Sequence, residues 1–147
     1  MVYARSMAGS APPSLLYMVK QLELAVRSRL DELVRPSGIT ALQYTALTVL
    51  ERHDGLSAAQ LARDSFVTAQ STADLVRSLE SRGLLRREPN PASRRELRIL
   101  LTDAGRELLA LHAEQVRELE DRMVNALTER QTDQFRQSLT RAWQALS

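Results

Sequence analysis

Apolar residues recur every three or four positions through Leu15, Val19, Leu22, Val26, Leu30 and Leu33, a spacing that lays one apolar stripe along a helix. Pro36 and Gly38 end that helix, since proline cannot continue the hydrogen-bond ladder and glycine accepts the left-handed conformation of a helix terminus. Three Ser/Thr-x-x-Gln pairs mark further helix starts: Thr40 with Gln43, Ser57 with Gln60, and Thr128 with Gln131. In each, the hydroxyl can accept the amide of the third helical residue while the glutamine reaches back to the cap amide. Ile39 with Tyr44, and Leu56 with Leu61, supply the apolar staple that sets the chain's entry angle at the first two. The pattern predicts helices over about 41–52 and 58–64, and another over about 69–82, capped by Thr68 and stopped at Gly83.

Residues 84–102 change period. Leu84-Leu85-Arg86-Arg87 runs into the turn-rich Pro89-Asn90-Pro91-Ala92-Ser93, after which Leu97, Ile99 and Leu101 alternate with Arg98 and Leu100. This predicts a two-stranded hairpin with a basic tip. After Thr102 the helical period returns in Leu109, His112, Val116, Leu119, Met123 and Ala126, and a last helix behind Thr128 puts Phe135, Leu139, Ala142 and Leu146 on one face beside Trp143. The expected fold class is mostly α with a small two-stranded β wing (α+β), a winged helix-turn-helix with flanking N- and C-terminal dimerisation helices. Residues 1–13 are expected to be a disordered arm ending at Pro12 and Pro13, with Met7 as an alternative start. Residues 14–147 are expected to form one winged-helix domain, its DNA-binding core at about 40–102 and its dimerisation helices at about 14–35 and 103–146.

Composition narrows the function. A chain of 147 residues suits one domain, and its lack of cysteine removes disulfides, thiolate metal sites and thiol redox sensing, which fits a cytoplasmic protein. The longest apolar cluster, Leu97 to Leu101, is interrupted by Arg98 and is too short to span a bilayer, so no membrane partner is expected. Net charge is only +2, but it is sorted: residues 86–98 hold five arginines against Glu88 and Glu96, while residues 103–122 hold six acids against three arginines. Lys20 is the only lysine, although genomic base composition alone could produce that bias.

A short helix, the turn Ser65-Phe66-Val67 and a longer helix form the arrangement in which the second helix enters a major groove. Ala73, Val76 and Leu79 should face inward there, leaving Gln70, Ser71, Asp74, Arg77 and Ser78 outward behind Thr68. Glutamine can address adenine, arginine guanine and aspartate the cytosine amino group, each good pairing giving about 1–3 kcal/mol of discrimination. A merely solvated helix face would look similar. What separates the readings is the hairpin that follows, a wing whose Arg94 and Arg95 can reach the neighbouring minor groove or its phosphates.

The run Ser57-Ala-Ala-Gln-Leu-Ala-Arg63, then Val67-Thr68, Leu75-Val-Arg-Ser-Leu-Glu-Ser-Arg-Gly-Leu-Leu-Arg-Arg87 and Leu101-Thr-Asp-Ala-Gly105 resembles the multiple-antibiotic-resistance regulator (MarR) family over about residues 14–146. The resemblance implies a cytoplasmic transcription factor, a repressor that dimerises through its first, fifth and sixth helices and is released from DNA by a small phenolic or other aromatic ligand. It also implies that the first and second helices line an effector pocket, making Tyr17, Tyr44 and His53 candidate pocket residues, although aromatics on apolar helix faces usually belong to the core. Two departures stand out. Ser93 occupies the position, two before Arg95, where the family commonly has an aspartate, and no cysteine is present for peroxide sensing.

The apolar faces of the terminal helices independently favour a homodimer, whose two-fold would present two recognition helices to a pseudo-palindromic operator in double-stranded DNA. No cofactor is expected. There is no nucleophile elbow, phosphate-binding glycine loop or helical His-Glu-x-x-His, so no enzyme is expected. His53 and His112 lie far apart without carboxylates at ligand spacing, so a metal is not expected either; the defaults are a helix C-terminal cap and an interface histidine. The competing class is a winged-helix protein-interaction module without specific DNA binding, and salt dependence of binding discriminates between the two.

Overall fold

The computed structural model describes residues 11–65 and 68–147; the first ten residues of the expected arm, Met7 included, and Phe66 and Val67 of the expected turn lie outside them. Ser14 caps helix α1 (Leu15–Val34), its hydroxyl accepting the Tyr17 amide at 3.1 Å. A single 3-10 turn, Arg35–Ser37, contains Pro36 and closes on Gly38 at φ 73°, a backbone angle that favours glycine. Helices α2 (Ala41–Arg52), α3 (Ala58–Ser65) and α4 (Ala69–Ser81) follow, then strands β1 (Leu85–Asn90) and β2 (Ser93–Leu101), and finally helices α5 (Asp103–Met123) and α6 (Glu129–Leu146). All three sequence-predicted capping boxes form, with the glutamine oxygen accepting the cap amide at 2.9–3.0 Å in each.

The mostly α fold with a two-stranded wing is as expected, with three local corrections. The strands are longer than the alternation suggested, and Leu56 adds a one-residue bridge to Ile99, so the segment between α2 and α3 pins the inner end of the hairpin. Ala73 is exposed, because the buried side of α4 runs through Thr72, Leu75, Val76 and Leu79; the Thr72 hydroxyl donates to the Thr68 carbonyl at 2.8 Å and so is buried without an unpaired donor. Ala126 is not on the fifth helix, which stops at Met123 and turns over Val124 to Leu127 before the Thr128 capping box starts α6.

One apolar core joins α2, α3, α4 and the hairpin through Leu47, Leu50, Leu61, Leu79, Leu85 and Ile99, with Val34 added from α1 and Leu109 from α5. Each such side chain stabilises the fold by about 1.5–3 kcal/mol on burial. Gly105 lies against the Leu84 carbonyl and the Leu101 side chain, so the first turn of α5 packs on the base of the wing closer than any side chain would permit. The long helices are left over from this core. α1 buries only Val34 and α6 buries none of its residues; Leu15, Leu16 and Leu146 are 79, 81 and 84% exposed.

Candidate nucleic-acid interface

Thr68 caps the N-terminus of α4. Its Oγ1 accepts the Ser71 amide at 3.2 Å and lies 3.0 Å from Ser71 Oγ, so both side chains are held at the first turn. Gln70, Ser71, Asp74 and Arg77 all lie exposed on the outward side of α4, and the Asp74 carboxylate accepts a hydrogen bond from the Arg77 guanidinium. Ser78, expected to face outward with them, is half-buried and accepts from Gln43 Nε2 of α2 at 3.1 Å. The exposed Ala73 replaces it, at the edge of a 470 Å3 groove bounded by α3, α4 and the wing, with Arg77, Arg95 and Leu97 among its walls.

The wing's shape follows from its register. Leu85 pairs with Leu101 and Pro89 with Leu97, but Asn90 pairs with Ser93, leaving residues 94–96 as an unpaired bulge on β2. A bulge bends the strand and turns side chains away from the ladder. Arg94 and Arg95 are therefore exposed at the outer end of the hairpin. Ser93, at the position where the family pattern has an aspartate, uses its hydroxyl to accept the Arg95 amide at 3.4 Å, a weak local turn.

Electrostatics sort the wing arginines into two kinds. Arg87 donates twice to Glu80 of α4, at 2.8 and 3.0 Å, and these hydrogen bonds hold the Glu80 carboxyl below its usual value. Arg86 and Arg98 both donate to Glu88 at 3.0 Å and lower its pKa in the same way. Arg94 and Arg95 have no carboxylate within ion-pair distance among the described residues. At the inner end, Asp54 accepts the Leu101 amide at 3.0 Å and Arg106 at 2.9 Å, fastening the wing to α5.

The three candidate pocket residues differ in their surroundings. Tyr17 is half-exposed on α1, and His53 is exposed at the C-terminus of α2. Tyr44 is in the core, where burial first and the Glu51 carboxylate second push its phenol above the usual value. A largely apolar 500 Å3 cleft does open between α1 and α2, lined by Val19, Leu22, Val26, Leu30 and Leu42, with Glu23, Arg27 and the buried Ser65 also on its walls. Ser65 Oγ has no hydrogen-bond partner among the described residues. His112 is buried on α5, with Nε2 2.6 Å from Ser37 Oγ. The Glu80–Arg87 and Glu88–Arg98 pairs escaped sequence reasoning; only the strand register, which brings Glu88 opposite Arg98, could have suggested the second.

The profile of the MarR family matches residues 37–96. The chain is similar to the HTH-type transcriptional repressor Rv2887 of Mycobacterium tuberculosis, with 32% identity over 133 residues covering 90% of this chain and 94% of that protein. A crystal structure of that MarR family protein in complex with salicylic acid matches with a TM-score of 0.70 and 31% identity over 92% of this chain and 99% of the other. Staphylococcus aureus MepR in its DNA-binding conformation matches with a TM-score of 0.83 and 25% identity over 92% and 100% of the two chains. Among the described residues, no helix is long and apolar enough to cross a membrane.

Proposed function

The chain belongs to the MarR family, and on that premise we propose that it is a cytoplasmic, sequence-specific repressor that binds duplex DNA as a homodimer and has no catalytic role. The observation that carries this reading is the pairing of an exposed hydrogen-bonding helix face with two unengaged wing cations. Gln70, Ser71, Asp74 and Arg77 are exposed together on α4, Arg95 lines the same groove as Arg77, and neither Arg94 nor Arg95 has a carboxylate partner among the described residues. Ionic pairing of the other three wing arginines explains why they are there; it leaves these two without a structural task. Phosphate contact by Arg94 and Arg95 would set register and orientation, and the α4 face would read base edges in the major groove.

Dimerisation is supported by the surface that the core leaves over. Leu15, Leu16, Leu24, Leu139, Trp143 and Leu146 are exposed on α1 and α6, a quantity of apolar side chain that a stable monomer rarely shows. A second copy presenting the same faces covers them, and its two-fold points two α4 helices at successive major grooves of a pseudo-palindromic operator.

We assign effector binding to the cleft between α1 and α2, whose walls do not include Tyr17, Tyr44 or His53. Its largely apolar walls, with the paired charges of Glu23 and Arg27 at one side, suit a small ligand with an apolar body and a polar or charged substituent. The relative Rv2887 has been crystallised with salicylic acid, a ligand of that type. Selection of bound fragments from random duplexes, followed by mobility shift over a salt series, tests the proposal. A selected palindrome bound with steep salt dependence is expected. Absence of any selected duplex, with salt-insensitive capture of a protein partner, would overturn it in favour of an interaction module.

A further inference from the structure

We propose that Ser37, in the turn between α1 and α2, is the junction through which Arg82 and His112 fix the recognition helix relative to the dimerisation helices, and so set the half-site spacing the dimer accepts. The spacing claim rests on the DNA-binding reading above. Arg82 ends α4, and its guanidinium donates to the Ser37 carbonyl at 2.6 Å and to the adjacent Gly38 carbonyl. A planar fork meeting two neighbouring carbonyls fixes direction as well as distance. From the other side, the Ser37 hydroxyl meets Nε2 of the buried His112 on α5 at 2.6 Å. One residue is thus held by the recognition helix through its main chain and by a dimerisation helix through its side chain.

Two further features at or beside this turn serve the attachment. Gln43 uses its oxygen to cap α2 at Thr40 and its nitrogen to bind Ser78 of α4, at 2.9 and 3.1 Å. Gly38 has φ 73°, and a Cβ there would stand 2.7 Å from Arg82 Nη2, so the turn is shaped to admit the guanidinium. The apolar side of α4 packs on the core through Leu75, Val76 and Leu79, and the polar straps at its C-terminal end add the directional restraint that the hydrophobic effect lacks. Gln70 lies about 18 Å along the helix from Arg82, at 1.5 Å per residue. A swing of about 10° about the clamped end therefore displaces the reading face by about 3 Å, close to the rise of one base pair. The polar straps at the C-terminal end oppose that swing.

Because the chain has no cysteine, one introduced at Ala69, exposed at the start of α4, can be spin-labelled alone, and the label-to-label distance in the dimer reports the separation of the two recognition helices without DNA. The parent should give one narrow distance. Arg82→Gln should shift or broaden it by about 3 Å or more per protomer, on the lever above. Arg82→Lys, able to reach one carbonyl, should fall between, and Ser37→Ala, which keeps the main-chain carbonyl but loses His112, should broaden it with the dimer intact. On selected operators respaced by one base pair, Arg82→Gln should lose about tenfold of the parent's spacing preference, the equivalent of one hydrogen bond to a charged group. Folded dimers of Arg82→Gln and Ser37→Ala with the parent's distance distribution and spacing preference would overturn the proposal. If Arg82→Gln does not fold, Ser37→Ala and Arg82→Lys decide it by the same readouts. A parent that selects no duplex overturns the DNA-binding reading and the spacing claim with it, while the distance measurement still judges the junction.

Discussion

Replacing Arg95 by alanine removes an exposed wing cation that no carboxylate engages among the described residues, so the side chain has no internal partner to leave behind. One phosphate contact is then lost from each protomer and two from a dimer. Each contact contributes about 0.9 to the slope of log K against log salt, so the slope should become shallower by about 1.8. Over a rise from about 50 to about 200 mM salt, that difference amounts to roughly tenfold: the variant starts weaker and loses about ten times less. Fluorescence anisotropy with the selected operator and with a scrambled duplex, each over the salt series, measures it. Both duplexes should be affected equally, because a phosphate carries no sequence information. Arg87→Ala is the matched control. That guanidinium is occupied by Glu80 at 2.8 and 3.0 Å, so its loss should loosen the wing and leave the slope near the parent's. An Arg95→Ala slope equal to the parent's, or an Arg87→Ala slope shallower than that of Arg95→Ala, would refute the division of the wing arginines.

Gln70→Ala or Arg77→Ala should relax preference at particular base pairs by about 1–3 kcal/mol without altering the salt slope, and an unchanged position profile after reselection removes the residue from the reading face. Gly105→Ala should lower stability by about 1–3 kcal/mol, because the added methyl collides with the Leu84 carbonyl and Leu101; a melting temperature at or above the parent's would contradict that. Glu80 and Glu88 are held below the ordinary carboxylate value near 4.5, first by hydrogen bonds from Arg87 and from Arg86 respectively. A depressed carboxylate adds stability that is full above its unfolded pKa and lost as pH falls through the folded one, so wing attachment should hold from about pH 6 to 8 and fail only in acid. An NMR titration of Glu80 with a midpoint at or above the ordinary value would contradict the pairing.

Helix starts were legible because their chemistry is local: Thr40, Ser57 and Thr128 each find their glutamine three residues on, whatever the rest of the chain does. The inward side of α4 was misread by one position. Thr72 counts as polar in the pattern, yet its hydroxyl finds an acceptor one turn back at Thr68, so it is buried and Ala73 is displaced to the surface. The end of α5 was misplaced for a related reason: Ala126 keeps the apolar spacing, but the chain must leave the helix to reach Thr128, the extended N-cap of α6, and the turn over Val124 to Leu127 takes precedence. The clamp of Arg82 on Ser37 joins residues 45 apart, and no spacing rule reaches that far.

The same limit governs how the wing's charge is read. Five arginines against Glu88 and Glu96 give residues 86–98 a local +3, which looks like one diffuse basic patch. Strand register divides it. Glu88 is brought opposite Arg98 and beside Arg86, Arg87 is handed to Glu80 across Gly83, and the bulge at 94–96 carries Arg94 and Arg95 away from both carboxylates. The three engaged arginines build the wing and attach it to α4. On the proposed DNA-binding reading, the two that the ladder leaves unpaired are the ones available to a phosphate, so the position of the bulge, and not the count of basic residues, would determine where on this chain a DNA backbone is met.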